Sequence, residues 1–288
     1  NGLRLIILPT TLVILLSLIQ GITEFLPISS SVHLVLVWQG AALFEIPLLY
    51  ADPYTQRAID VAAHVGTLAA VTVFFWRDVV HLVVGGWQFV TGQIGTAQAR
   101  RFGLLVLASL PLIFAGFVWS LFGEAGLERQ LWVIGSASIL FGLMIWWFDA
   151  RSDSRLAEDD LNWRRALVFG LFQVLALIPG TSRSGITMAA GRALGFSRAA
   201  GTKIALLMSI PAILAAGSLE AFRLITARPF QAPEGVWSSA GLVLVVSALT
   251  AYVTLWLFTR FLPVTGFLPY VVYRVLLGLA VLTLAWLL

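Results

Sequence analysis

The sequence predicts an all-α polytopic membrane protein with six transmembrane helices and two re-entrant helical hairpins. Three observations carry this. Of 288 residues, 59% are apolar and only 11% charged, less than half the share of about 25% found in soluble domains; the mean hydropathy is +0.94. The apolar residues form solid runs suited to helices of roughly 20 residues, which cross a hydrocarbon core of about 30 Å, and do not alternate as barrel strands do. Two further apolar stretches are too short to cross, and each ends in a turn rich in Pro and Ser. This composition excludes an ordinary soluble enzyme, a disordered chain and, with no cysteine, a disulfide scaffold. Basic residues number 18 against 14 acidic ones, and no basic run exceeds two residues, so nucleic acid is not an expected partner.

The first short stretch is Leu5–Ile19, roughly 22 Å of helix. It meets Gln-Gly-Ile-Thr-Glu, a serine turn and a second short piece, Val32–Phe44. Short helix, polar turn, short helix reads as a re-entrant hairpin, tolerated at membrane depth only inside protein or beside a water-filled cavity. Spans follow at Ile59–Trp76, Phe102–Leu121 and Leu131–Phe148. The second hairpin is Ala166–Ile178, the Pro179-Gly180 turn and Gly185–Phe196, followed by spans at Gly201–Leu219, Val236–Phe258 and Phe267–Leu288. Each unit is thus a hairpin plus three spans. An odd number inverts the second unit, so the chain reads as one membrane domain of two inverted-topology repeats, about 1–150 and 160–288, with a site where the broken helices meet. Aligned on Pro27 and Pro179, Ser30 falls on Ser182.

Arg77, Arg100 and Arg101 lie in one connector, and Arg151, Arg155, Arg164 and Arg165 in another on the same side. Their excess over Arg4, Arg57, Arg129, Arg223 and Arg228 favours cytoplasmic placement of those connectors and puts both termini outside. The acidic segment Asp149–Asp160 reads as a solvated linker.

Ionisable residues at membrane depth are costly and so mark function. Glu24 lies one helical turn after Gln20, on the same face. Pro27 stops the helix. Ser29, Ser30 and Ser31 follow, with hydroxyls and amides able to ring an anion at the next helix start, and His33 lies one turn beyond Ser30. Carboxylate, hydroxyl and imidazole are the components of an activated oxygen nucleophile. The second turn, Pro179-Gly180-Thr181-Ser182-Arg183-Ser184-Gly185, adds an arginine fork suited to phosphate oxygens and glycines that admit close backbone approach. Arg183 could equally serve as a buried partner for Glu24. His64 reads as a contact to a neighbouring helix or as part of the site's lining, the former being favoured, and Tyr270, Tyr273 and Arg274 as an interfacial anchor or the lining of a lipid groove. The expected ligand is a phosphorylated lipid.

The motifs Q-G-I-T-E-F-L-P-I-S-S-S-V-H-L (Gln20–Leu34) and P-G-T-S-R-S-G (Pro179–Gly185), with stretches at Asp60–Val71, Gly195–Ala200 and Phe267–Arg274, resemble the undecaprenyl-pyrophosphate phosphatase family, also called bacitracin-resistance phosphatases, over nearly the whole chain. The resemblance implies hydrolysis of the C55 isoprenyl diphosphate to the monophosphate for carrier-lipid recycling in cell-wall synthesis. It implies a bacterial inner-membrane enzyme whose site opens to the periplasm, and a divalent cation, Mg or Ca. It carries Gln20, Glu24, Ser29, Ser30, His33 and Arg183 over as motif residues; Glu24, Ser30 and His33 are expected to be catalytic, Arg183, Ser29 and Gln20 to bind substrate with Ser182 and Thr181 completing the cradle, and Glu24 is a candidate metal ligand. Two departures stand out: Gln20 replaces the commoner Glu, and Lys203 stands where many members have an acid. On this reading Ser30 attacks the terminal phosphorus and Glu24 or His33 takes its proton, or one of these activates water while Ser30 positions it. The rival is a transporter or flippase of a phosphorylated lipid using the same anion site.

Overall fold

The computed structural model describes residues 10–43, 53–121, 130–226 and 235–287; Arg4, Arg129, Arg228 and the ends of the stretches Leu5–Ile19 and Val32–Phe44 lie outside them. The chain is helical throughout these residues, apart from turns and one isolated parallel bridge between Leu156 and Phe196. The first hairpin is α1 (Thr10–Thr23) and α2 (Ser30–Leu43). Next come α3 (Pro53–Phe74), α4 (Trp76–Val90), α5 (Ala97–Leu121) and α6 (Leu131–Arg151). The second hairpin is α7 (Trp163–Val174) and α8 (Arg183–Ala193), followed by α9 (Arg198–Thr226), α10 (Val236–Thr265) and α11 (Leu268–Leu287).

Six helices are long and apolar enough to cross a membrane: α3, α5, α6, α9, α10 and α11. They are the six runs expected from the sequence. The four hairpin helices have 14, 14, 12 and 11 residues, at most about 21 Å, and fall short of the hydrocarbon core. Many large apolar side chains point outward, among them Phe114, Trp132, Leu249 and Trp256, as a lipid solvent allows.

Two connectors differ from expectation. The segment Arg77–Arg101 contains α4, which packs along the start of α5. A Cβ on Gly85 would lie 2.2 Å from the carbonyl oxygen of Gln98, so only glycine permits that approach. The segment Asp149–Asp160 is not a free solvated linker either. Its Glu158 pairs with Arg101 (2.6 Å) and Lys203 (3.2 Å), which both also meet Asp78, at 3.3 and 3.0 Å. Lys203 thus closes a four-membered ring of charges joining α4, α5, α9 and the short 3₁₀ turn Glu158–Asp160. Beside it, Asp149 holds buried Arg192 at 2.7 Å and Arg198 at 2.9 Å. A cavity of about 730 Å³ opens at this charged end, lined by Phe74, Arg101, Lys203 and Pro263 among others.

Small residues set the helix contacts, as lipid-immersed helices require. Gly21 meets α10 at Thr250 and Ser247, Gly66 meets α10 at Leu244, and Gly135 and Gly278 seat α6 against α11. α10 packs between α1 and α3, and α8 between α6 and α9. These contacts bring the two hairpin turns together in the protein interior.

Candidate functional site

Each turn is built on a serine in an uncommon backbone conformation. Ser29 and Ser182 both have φ +69°, a region that non-glycine residues rarely occupy and that clusters at functional sites. Each directly precedes a helix: α2 begins at Ser30 and α8 at Arg183. The backbone therefore sets a register one residue away from the alignment on the prolines. Ser30 corresponds to Arg183, not to Ser182, and Gln20 corresponds to Gln173. The positive-φ residue, rather than the proline, is what the two turns share. Two helix N-termini with free amides and positive dipole ends converge here.

Glu24 stands at the centre and is buried. Its Oε2 accepts from Gln20 Nε2 at 2.8 Å and from the Ser30 hydroxyl at 2.7 Å. Its Oε1 accepts from Arg183 Nη2 at 2.7 Å. The bond to Arg183 crosses from one turn to the other. Arg183 also donates to the carbonyl of Ser209, at 2.9 Å. Ser209 lies two residues before Pro211 in α9.

His33 is placed differently. Its Nδ1 lies 2.7 Å from the Ser29 carbonyl oxygen. A carbonyl can only accept, so Nδ1 carries the proton and Nε2 of the neutral ring accepts from the Tyr273 hydroxyl, at 2.6 Å. The two rings stack at 5.7 Å. His33 is thus bonded to neither Ser30 nor Glu24. His64, read as a contact to a neighbouring helix or as lining the site, binds its own helix through Nδ1 and the Asp60 carbonyl (2.8 Å) and turns its other nitrogen to the site. Its Nε2 lies 3.9 Å from Glu24.

The second turn's hydroxyls are largely occupied. Ser184 donates to the Leu26 carbonyl at 2.9 Å, so its oxygen receives the Ser182 hydroxyl at 3.2 Å. Ser182 also accepts from the Gly185 amide, capping α8. The Thr181 hydroxyl is buried without a partner, and Ser29 and Ser31 share a bond of 3.1 Å. Gly180 has φ +92°, and a Cβ there would lie 2.4 Å from the Ile134 carbonyl oxygen.

Among the described residues no three His, Cys, Asp or Glu side chains form a metal cluster. One oxygen is conspicuous, however: Gln20 Oε1 is buried and has no partner, on an amide whose Nε2 donates to the Glu24 carboxylate. One carboxylate and one amide oxygen suit a hard divalent cation that draws its other ligands from phosphate and water.

The site residues inferred from sequence therefore gather at one place. Three residues for which the sequence left alternatives open also reach these turns: His64, Tyr273 and Arg274. Arg274 is no interfacial anchor, being fully buried. A cation inside an apolar run signals function, but the signal does not say which turn it reaches.

A family model described as bacitracin resistance protein BacA matches residues 13–280. The chain is 43% identical over 273 residues to an undecaprenyl-diphosphatase of Jannaschia sp. (strain CCS1), covering 94% of this chain and 97% of that one. It is 43% identical over 274 residues to one from Ruegeria pomeroyi, covering 95% and 97%. A relative in Aliivibrio salmonicida with the same description is 38% identical over 273 residues, covering 94% and 96%.

Proposed function

The chain belongs to the bacitracin resistance protein BacA family, and we propose that it is a multi-pass membrane hydrolase in which Ser30 attacks the terminal phosphorus of undecaprenyl diphosphate. One observation carries the residue roles. A single buried carboxylate, Glu24, accepts at 2.7 Å both from the Ser30 hydroxyl on the first turn and from Arg183 on the second. Nucleophile, base and anion-binding cation are already in contact.

The step balances as follows. The Ser30 proton passes to Glu24 as the Ser30 oxygen bonds to the terminal phosphorus, and the bond to the bridging oxygen breaks, releasing the lipid monophosphate. Water then attacks the phosphorus, the bond to the Ser30 oxygen breaks, that oxygen takes back the proton held by Glu24, and the proton lost by the water leaves with inorganic phosphate. Glu24 is the base because it holds the proton to be moved; His33, engaged by Ser29 and Tyr273, orders the turn. Arg183 neutralises charge on the transferring phosphoryl oxygens, the main source of rate in such reactions. The turn amides add to this, and Ser29, Thr181 and Ser182 shape the cradle.

Gln20 and Glu24 would hold a divalent cation, Mg or Ca, which when bound neutralises phosphate oxygens. We place the enzyme in the bacterial inner membrane, with the site open to the periplasm and both termini outside. The basic connectors support this. The polyprenyl chain lies in the bilayer.

The test is phosphate release from undecaprenyl diphosphate by the detergent-purified chain, with and without chelator. Ser30→Ala should abolish release, and a slow variant should accumulate phosphoserine at Ser30. Release by Ser30→Ala near the wild-type rate would overturn the nucleophile. Lipid movement in vesicles without any release would favour the transport reading.

A further inference from the structure

Arg274 lies in the apolar helix α11 with none of its surface exposed. Among the described residues it meets no carboxylate. All of its side-chain hydrogen bonds go to main-chain carbonyls: Nε to Ser138 (3.1 Å), Nη1 to Pro27 (3.2 Å) and Nη2 to Gly180 (2.9 Å). Pro27 belongs to the turn that carries Ser30, and Gly180 to the turn that carries Arg183. The Ser138 hydroxyl returns a bond to the Arg274 carbonyl at 3.1 Å, fixing the base of the side chain to α6. Two glycines make room for it. A Cβ on Gly142 would lie 3.2 Å from Arg274 Cβ, and one on Gly185 would lie 3.1 Å from Nη1.

Among the described residues, three sets of hydrogen bonds link the two turns: Arg183 with Glu24, Ser184 with the Leu26 carbonyl, and Arg274 with both turns at once. They differ in what happens when an anion arrives. Arg183 must turn its fork to the phosphate, so its hold on Glu24 weakens as the site fills. Arg274 is sealed from solvent and from any substrate, so its grip on the two carbonyls is independent of occupancy. A planar guanidinium suits this task because its donors diverge at fixed angles.

We propose that Arg274 is a positioning residue that locks the two turns in register, holding Ser30 opposite Arg183 while substrate is bound. This rests on the turns being the reaction site. Because it touches no substrate, its loss should lower kcat and leave KM nearly unchanged. A misplacement of about 1 Å costs about 10²-fold in rate.

The chain has no cysteine, so spin labels can be placed at will. Ile22, 44% exposed beside the first turn, and Ile178, 38% exposed in the second, become the labelled pair as Ile22→Cys and Ile178→Cys. Distance distributions are measured by pulsed electron resonance in the full-length chain, with phosphate release measured in parallel. Expected for Arg274→Gln is a broadened distribution and a kcat about 10²-fold lower at a KM within about threefold. Where that variant does not fold, Arg274→Lys keeps the charge but not the divergent donors, and should show the same pattern. A folded variant with an unchanged distribution overturns the proposal, whatever its turnover. So does a broadened distribution with unchanged kcat, or a rise in KM that accounts for the whole loss. Wild-type protein that releases no phosphate would overturn the functional reading instead, and the distance measurement would still test the lock.

Discussion

Replacing Glu24 by Gln and by Ala weighs chemistry against stability. The carboxylate serves three donors: Gln20 and Ser30 on one oxygen, Arg183 on the other. A glutamine amide has one accepting oxygen and one NH₂ group. With its oxygen toward Arg183, the NH₂ faces Ser30 and Gln20. The Ser30 oxygen can accept, and Gln20 can rotate its amide to present Oε1, the atom now buried without a partner. The contacts to the Ser30 and Gln20 oxygens replace two bonds, but the Ser30 hydroxyl proton and the Gln20 NH₂ lose their acceptor and Arg183 its counter-charge, so the Gln variant also loses stability, by about 3 kcal/mol. Glu24→Ala has no such repair. Truncating one member of a buried pair costs about 3–5 kcal/mol. Catalysis follows a different scale, because Gln cannot take the Ser30 proton. A general base contributes about 10²–10⁴-fold, about 3–5 kcal/mol of barrier. Expected, then, is a Gln variant that melts below wild type but above the Ala variant and has lost at least about 10² in turnover of its folded fraction. The 11 tryptophans give an intrinsic fluorescence melt, and phosphate release gives turnover. A Gln variant within about tenfold of wild-type turnover would refute Glu24 as the base.

Tyr273→Phe removes the donor to His33 but keeps the stacked ring. One hydrogen bond is worth about 0.5–1.5 kcal/mol, so kcat/KM should fall about threefold to tenfold, and a loss nearer 10⁴ would mean that Tyr273 meets the reacting atoms. Gly180→Ala places a methyl group 2.4 Å from a carbonyl at φ +92° and should destabilise by about 2–3 kcal/mol, read as a lowered melting temperature; an unchanged melt would show that the turn relaxes freely. Asp149→Asn strips the counter-charge from buried Arg192 and should cost about 3 kcal/mol, measured by the same melt and contradicted by an unchanged one.

The six spans and both hairpins were legible because lipid imposes a length rule: a helix either reaches across or does not. α4 was missed because Arg77, Asp78 and His81 break its apolar run, so it reads as a connector. The site was legible as far as it is local. Gln20, Glu24, Ser30 and His33 lie within one turn of chain, and rarity of charge singled out Arg183. Among pairings across the fold, that of Arg183 with Glu24 was legible, because both are charges at membrane depth; the others were not. Tyr273 reaches His33 across 240 residues, and Arg274 reaches Pro27 across 247; no periodicity encodes such distances. The turn register was misread for a related reason. Pro27 and Pro179 are visible letters, whereas the shared feature is a dihedral angle at Ser29 and Ser182.

α8 is fastened at both ends. At the turn it is tied through Arg183, Ser184 and the Ser182 cap. Ten residues on, Arg192 is held by Asp149, Ser154 and the Phe196 carbonyl. A helix of 11 residues clamped in this way behaves as a connecting rod about 16 Å long, with no slack to absorb a push. The charged end and the reaction end therefore share one mechanical coordinate. A substitution that shifts Asp149 is transmitted to Ser182 and Arg183 as displacement, although it removes no contact there.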